Sequence, residues 1–177
     1  LTASGEFLRH DVLEDHSDLY GHPASLLMDD MVTTTEHLWI ARQDGEGAAV
    51  GPGMMTDQAT QSAGTTLQWT DGVDFKFDSS DGDRSGALKS VICHGGVLLT
   101  SEESEITCEL LDIAFVEDGE GSSSPSIAIA TGDVKATSDT QVLFADLAKL
   151  TFTSNDATTT GDDAMFGGSK ADTLQAT

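Results

Sequence analysis

Thr66-Leu67-Gln68-Trp69-Thr70 runs into Asp71-Gly72, and Val73-Asp74-Phe75-Lys76-Phe77-Asp78 follows. In the second segment Val73, Phe75 and Phe77 alternate with Asp74, Lys76 and Asp78, the period-two signature of a strand with one dry and one wet face. Asp-Gly between two such segments is the type I′ hairpin signal, because both central residues of that turn take positive φ. The stretch from Thr65 to Asp78 therefore predicts an antiparallel hairpin and sets a β reading for the chain around it.

Upstream, Thr33 to Gln43 reads as a strand, with Thr35, His37, Trp39 and Ala41 on one face and Leu38 and Ile40 on the other. Residues 44–64, with Gly45, Gly47, Gly51-Pro52-Gly53 and Met54-Met55, read as a long loop of the kind that carries function or an interface. Residues 1–32 read as an irregular N-terminal arm, with a short helical turn from His22-Pro23 to Met28. Downstream, strands are expected over Ala87–Cys93 and Val97–Thr100 around a Gly95-Gly96 break. Another is expected over Ile106–Val116, where the apolar phase changes and a β-bulge near Leu110-Leu111 would restore one buried face. Two short strands flank Gly132-Asp133. Residues 138–152 read as strands with an irregular middle, although Ser138-x-x-Gln141 resembles a helix capping box. The expectation is an all-β fold, a single jelly roll or β-sandwich of about eight strands. It divides into an N-terminal arm (1–32), a sandwich domain (33–152) and a polar C-terminal arm (153–177).

The chain has 177 residues, 31 of them acidic and 8 basic, for a formal net charge of −23. Arg9, Arg42, Lys76, Arg84, Lys89, Lys135, Lys149 and Lys170 are scattered, so no basic stripe exists to follow nucleic-acid phosphates or anionic lipid. Such charge opposes compaction in dilute salt. At about 1 M salt the Debye length falls to about 3 Å and most of that repulsion is screened. The composition thus reads as that of a protein built for molar salt. No apolar run reaches 18 residues, so no transmembrane helix is expected, and no signal peptide opens the numbering. Cys93 and Cys108 are buried thiols, one bridge, or bridges to another chain.

Motifs that carry catalysis are missing. There is no G-x-S-x-G elbow, Walker loop or H-E-x-x-H. Cys93 and His94 are adjacent and point to opposite faces of any strand. His10, His16 and His22 recur every six residues, a spacing that gathers ligands on no regular element. Asp81-Gly82-Asp83-Arg84-Ser85-Gly86 matches the front half of a calcium loop, making Asp81, Asp83 and Ser85 candidate cation ligands. Ile92 stands where an EF-hand needs its bidentate Glu, so this is no EF-hand. The chain is expected to be no enzyme and to require no cofactor beyond structural cations such as Ca, Na or K.

The acidic, lysine-poor chain, its strand count, its Gly-rich loops and its polar arms together resemble the smaller major capsid protein of haloarchaeal icosahedral viruses with an internal membrane. That resemblance implies an upright single jelly roll in the virion. The subunit would assemble with itself and with a larger sister capsid protein over a lipid vesicle. Interface anchors under this reading are Phe7, Leu8, Leu19, Tyr20, Met54, Met55, Met165 and Phe166. The alternatives are a capsid decoration protein or a secreted halophilic binding module using Trp39 and Trp69 on a carbohydrate or surface ligand. A metal-dependent β-barrel enzyme using histidines is a third class.

Overall fold

The computed structural model describes residues 2–28, 31–57, 65–78, 88–101, 104–117, 123–138, 140–153 and 170–176. They form β1 (Thr2–Ser4), β2 (Phe7–Asp11), β3 (His16–Met28), β4 (Met31–Ala41), β5 (Glu46–Val50), β6 (Gly53–Asp57) and β7 (Thr66–Trp69). These are followed by β8 (Gly72–Phe77), β9 (Leu88–Thr100), β10 (Ser104–Glu117), β11 (Ser123–Ser138), β12 (Val142–Thr153) and β13 (Lys170–Ala176). All thirteen belong to one antiparallel sheet, so the all-β expectation holds.

The sheet order is β1-β3-β4-β5-β8-β9-β10-β11-β12-β13, with β2 sharing β3, β6 sharing β4, and β7 sharing β9. Three passes are each broken in two (β1–β2, β5–β6 and β7–β8), so the thirteen strands make ten passes. Each pass lies beside the one before it. This is an up-and-down meander. A jelly roll needs long connections that return a strand across the sheet; here every neighbour is the next pass, which replaces the expected jelly roll and its eight strands.

The hairpin expected at Asp71-Gly72 is not formed. β7 and β8 do not pair with each other; both continue along β9, at Leu98–Thr100 and at Leu88–His94. The chain kinks there instead of reversing. Its partner yields at the same level, with Gly95 and Gly96 at φ of 69° and 47°. Thr70 N–H donates to Gly95 O at 2.8 Å and Asp71 N–H to His94 O at 3.1 Å. The alternation holds in both segments, but the Asp-Gly turn residues lie inside one pass, not between two.

The kink is one link in a crease that crosses the sheet. Register breaks occur between Tyr20 and Ala24 in β3, at Gly51-Pro52, at Thr70-Asp71, at Gly95-Gly96, between Cys108 and Leu110 in β10, and between Thr131 and Val134 in β11. Extra residues in one strand bend it. Bends at one level on successive passes fold a single sheet over its own apolar face. That explains how Leu67, Val73, Val97, Leu111, Ile113 and Val134 become fully buried in a one-sheet protein. The bulge expected near Leu110-Leu111 is part of this line, with Ile106 and Cys108 buried before it and Leu111 and Ile113 buried after it. Thr35, itself buried, fastens the crease by donating to Val50 O at 2.9 Å and Pro52 O at 3.2 Å.

The apolar face is laid out in rows across the passes. Leu8, Leu19, Leu38, Ala49, Val73, Cys93, Leu111, Ala130 and Ala148 face one another in register, each on its own pass. All but Leu8 are buried and belong to one continuous core.

The stretch read as an N-terminal arm enters the sheet as β1, β2 and β3. Pro23 sits in the register break of β3, where no ladder partner needs its missing N–H, so no helical turn forms. The Gly-rich stretch read as a loop holds β5 and β6, whose Ala48 and Ala49 are buried. Glycine is required there by close packing: a Cβ on Gly53 would lie 2.5 Å from the Trp69 ring. Strands expected on either side of Gly95-Gly96 and Gly132-Asp133 are single strands, β9 and β11, kinked at those residues. Ser138 and Gln141 close a hairpin by exchanging backbone hydrogen bonds of 2.8 and 3.4 Å rather than capping a helix. In the region read as a C-terminal arm, β13 pairs with β12.

Candidate functional site

Two surfaces gather chemistry: the outer face of β2–β4, and the edge of β2 that no strand pairs among the described residues. On the outer face the period-two alternation sets Asp18 and Tyr20 of β3 beside His37 and Trp39 of β4. His37 Nε2 lies 2.9 Å from Asp18 Oδ1, and His16 Nε2 lies 3.4 Å from Asp18 Oδ2. Partial burial pushes the Asp18 carboxyl up; the hydrogen bond from His37, then the charge and hydrogen bond of His16, outweigh it and hold the carboxyl below its ordinary value. Tyr20 stacks on His37 with centroids 4.1 Å apart and planes 7° apart, His16 stacks on Trp39 at 5.5 Å, and Phe7 flanks Tyr20 at 6.2 Å. The same motif recurs further along, where His94 Nε2 lies 2.9 Å from Asp74 Oδ2 across β8 and β9.

These pairs are diagonal across neighbouring strands, a position from which side chains reach each other on one face. Sequence reading missed them, because the pairing of residues 18 and 37, or 74 and 94, depends on a register the sequence does not state. The signal present was alternation: Asp-x-Tyr in one strand and His-x-Trp in the next.

The cluster holds rings and charges in place; it lacks the parts of a nucleophilic site. The one serine–imidazole contact among the described residues is His10 Nδ1 to Ser17 Oγ at 2.9 Å, exposed, and no third group among those residues orients the ring. Among the described residues no three His, Cys, Asp or Glu side chains are placed to hold one metal ion. His10, His16 and His22 are not brought together: His10 faces Ser17, His16 faces Asp18, and His22 is exposed. Asp81, Asp83 and Ser85 lie outside the described residues. Cys93 and Cys108 are free and buried. Burial pushes their thiols up to about 12 and about 11, which removes thiolate reactivity. Trp69 is in the core with Nε1–H donating to Gly51 O at 3.0 Å, and so presents no surface to a sugar.

The free edge of β2 is different in kind. Phe7 and Leu8 are exposed in the strand, and Val12 and Leu13 more so in the turn that follows, at 80% and 89%. Asp11 shapes that turn, its Oδ1 accepting the Leu13 N–H at 2.9 Å. Phe7 and Leu8 point to opposite faces of β2, so together with Val12 and Leu13 they line this edge with exposed apolar groups on both sides. Of the anchors expected from sequence, Phe7, Leu8, Tyr20 and Met54 are exposed. Leu19 and Met55 are core residues, which corrects their reading as contacts, because each falls in a buried row. Met165 and Phe166 lie outside the described residues. A shallow hollow of about 670 Å³ lies beside Lys135 and the exposed ring of Phe144.

No helix among the described residues is long and apolar enough to cross a membrane. No protein-family model matches this chain, and a search of the curated proteins finds no match.

Proposed function

We propose that this chain is a structural protein, without an enzymatic role, that assembles through the edges of its sheet in a salt-rich setting. The carrying observation is the edge of β2, which no other strand pairs among the described residues and where Phe7, Leu8, Val12 and Leu13 meet solvent. An unpaired edge with apolar side chains is a template for another chain unless something covers it. The charge of −23 supports the salt-rich half of the reading, since association of such subunits needs screening.

The narrower reading is a capsid subunit of a haloarchaeal virus, beside a larger sister protein and close to an internal membrane. That resemblance rests on acidity, strand count, Gly-rich loops and polar arms and implies a jelly roll; with a meander in the jelly roll's place, acidity and the exposed apolar residues of the β2 edge are what support it. Sedimentation velocity from millimolar to molar NaCl, with far-UV circular dichroism alongside, tests the broader reading. Self-association that grows with salt is expected; a folded monomer at every salt concentration overturns it.

A second reading is favoured by one feature. The apolar row that begins at exposed Leu8 continues unbroken into the core through Leu19 and Leu38. A lipid acyl chain lying against Leu8 would find that row already apolar. Displacement of a fluorescent fatty acid, lost in Leu8→Asp, would support a lipid-handling role over assembly.

A further inference from the structure

We propose that the hollow on the outer face of β10–β12 binds a neutral saccharide, seated on the ring of Phe144. The proposal goes beyond the assembling reading and does not depend on it. Strand pairing sets Thr107, Lys135 and Phe144 side by side on three successive strands. Their neighbours Ile106, Ala136 and Leu150 pack on the core, so this row faces outward. At one end of the row the crease crosses β11, where Gly132 and Asp133 take φ of 79° and 44°. Such a backbone is uncommon for a residue other than glycine. Here it accompanies the extra residues between Thr131 and Val134, and Asp133 lines the hollow together with Asp146 of β12. The volume of about 670 Å³ falls within the range of small-molecule sites, roughly 300–1,000 Å³.

The lining selects the ligand. The Phe144 side chain is 73% exposed, and the electron-rich face of such a ring attracts the C–H groups of a pyranose. Thr107, Asp133, Lys135 and Asp146 make no side-chain hydrogen bond or ion pair among the described residues. Carboxylates accept, an ammonium donates and a threonine hydroxyl does both, the mixture that a ring of hydroxyl groups satisfies. Charge narrows the choice. An anion meets two carboxylates, and an organic cation seeking the ring meets the Lys135 ammonium directly across from it. A neutral, hydroxyl-rich ring meets neither repulsion.

The test is an NMR titration of the whole chain, labelled at phenylalanine, in about 1 M NaCl. The probes are maltotriose, cellotriose, mannotriose and acetylated chitotriose, with trigalacturonate and spermidine as charged counterparts. A saturable shift of the Phe144 ring signals with at least one neutral trisaccharide is expected, and weaker binding of both charged probes. Saturation-transfer NMR, read on the sugar, compares the variants. Phe144→Ala should weaken binding about tenfold or more. Lys135→Ala and Asp146→Asn should each weaken it about threefold to tenfold. Lys76→Ala, on β8 and outside the hollow, should leave it unchanged. All four side chains are exposed, and circular dichroism checks that the variants fold. No saturable shift with any neutral trisaccharide, binding that survives Phe144→Ala, or tighter binding of a charged probe overturns the proposal. Sedimentation reads assembly separately, so a sugar-binding monomer overturns the assembling reading alone.

Discussion

Leu8 and Leu111 occupy the same row of the same sheet, yet Leu111 is 1% exposed and Leu8 is 63% exposed. Leu111 has Cys93 on one side and Ala130 on the other. Leu8 has Leu19 on one side and no pass beyond it among the described residues. In a meander, place in the pass order decides whether an apolar residue becomes core or contact surface. Leu111→Ala should therefore destabilise the fold by about 2–5 kcal/mol in chemical denaturation. Leu8→Ala should stay within about 0.5 kcal/mol for the monomer. Equal costs at the two positions would mean that the edge is packed in solution and that the contrast is false.

The backbone repeats the contrast. Central passes bend through residues at positive φ inside a strand, among them Gly95, while at the edge the positive φ falls in the turn between β2 and β3, at Asp15. A Cβ on Gly95 would meet the Asp71 carboxylate as well as a disfavoured backbone conformation. Gly95→Ala is expected to cost about 1–3 kcal/mol, read as a lowered midpoint in the same denaturation series. A neutral result would show that the crease does not depend on that glycine.

How much of this was legible before the structure follows from what alternation can and cannot encode. Val73-Asp74-Phe75 declared a strand with a wet side, and Asp74 is indeed exposed while Val73 is buried. Ile106 to Val116 declared a phase change, and the bulge is there. What failed was punctuation. Gly51-Pro52, Asp71-Gly72, Gly95-Gly96 and Gly132-Asp133 all look like turns, because a crease and a turn ask for the same residues. Reading creases as chain reversals shortened the strands and suggested a jelly roll. Segments read as arm and loop were sheet because Ala and Gly fill close-packed positions, such as Gly53 under Trp69, without the bulk that marks a strand. The surface pairs Asp18–His37 and Asp74–His94 needed the register itself, whereas the apolar edge residues Phe7 and Leu8 were visible from the start.

Electrostatics offers a finer cut between the edge and the centre. Asp18 is held below its ordinary 3.8, so its contribution to stability is complete above that value and lost as pH falls through the lower folded-state value. Asp18→Asn should remove under about 1 kcal/mol near neutral pH. It should also flatten the part of the acid-unfolding curve that lies below the ordinary carboxylate range. Because Asp18 bridges His16 of its own strand and His37 of β4, the loss should appear first in hydrogen exchange of β3 and β4 and spare β9 and β10. Uniform loss across the sheet would show that the edge and centre unfold as one unit, contrary to the graded stability expected of an open edge.

The smallest expected effect lies at Lys76. Its ammonium is 3.5 Å from Glu46 Oε1, and the two residues face each other directly across β5 and β8. Both side chains are largely exposed, so water and salt screen the attraction, and ordering two long side chains offsets part of what remains. In a chain of −23, however, every lysine also acts on the many carboxylates around it. At molar salt that longer-range share vanishes, and Lys76→Ala should shift stability by no more than about 0.5 kcal/mol. At millimolar salt the same variant should cost more, because the pair is then supplemented by the field of the whole acidic surface. A cost that does not depend on salt would place the value of Lys76 in the packing of its aliphatic stem against the sheet rather than in its charge.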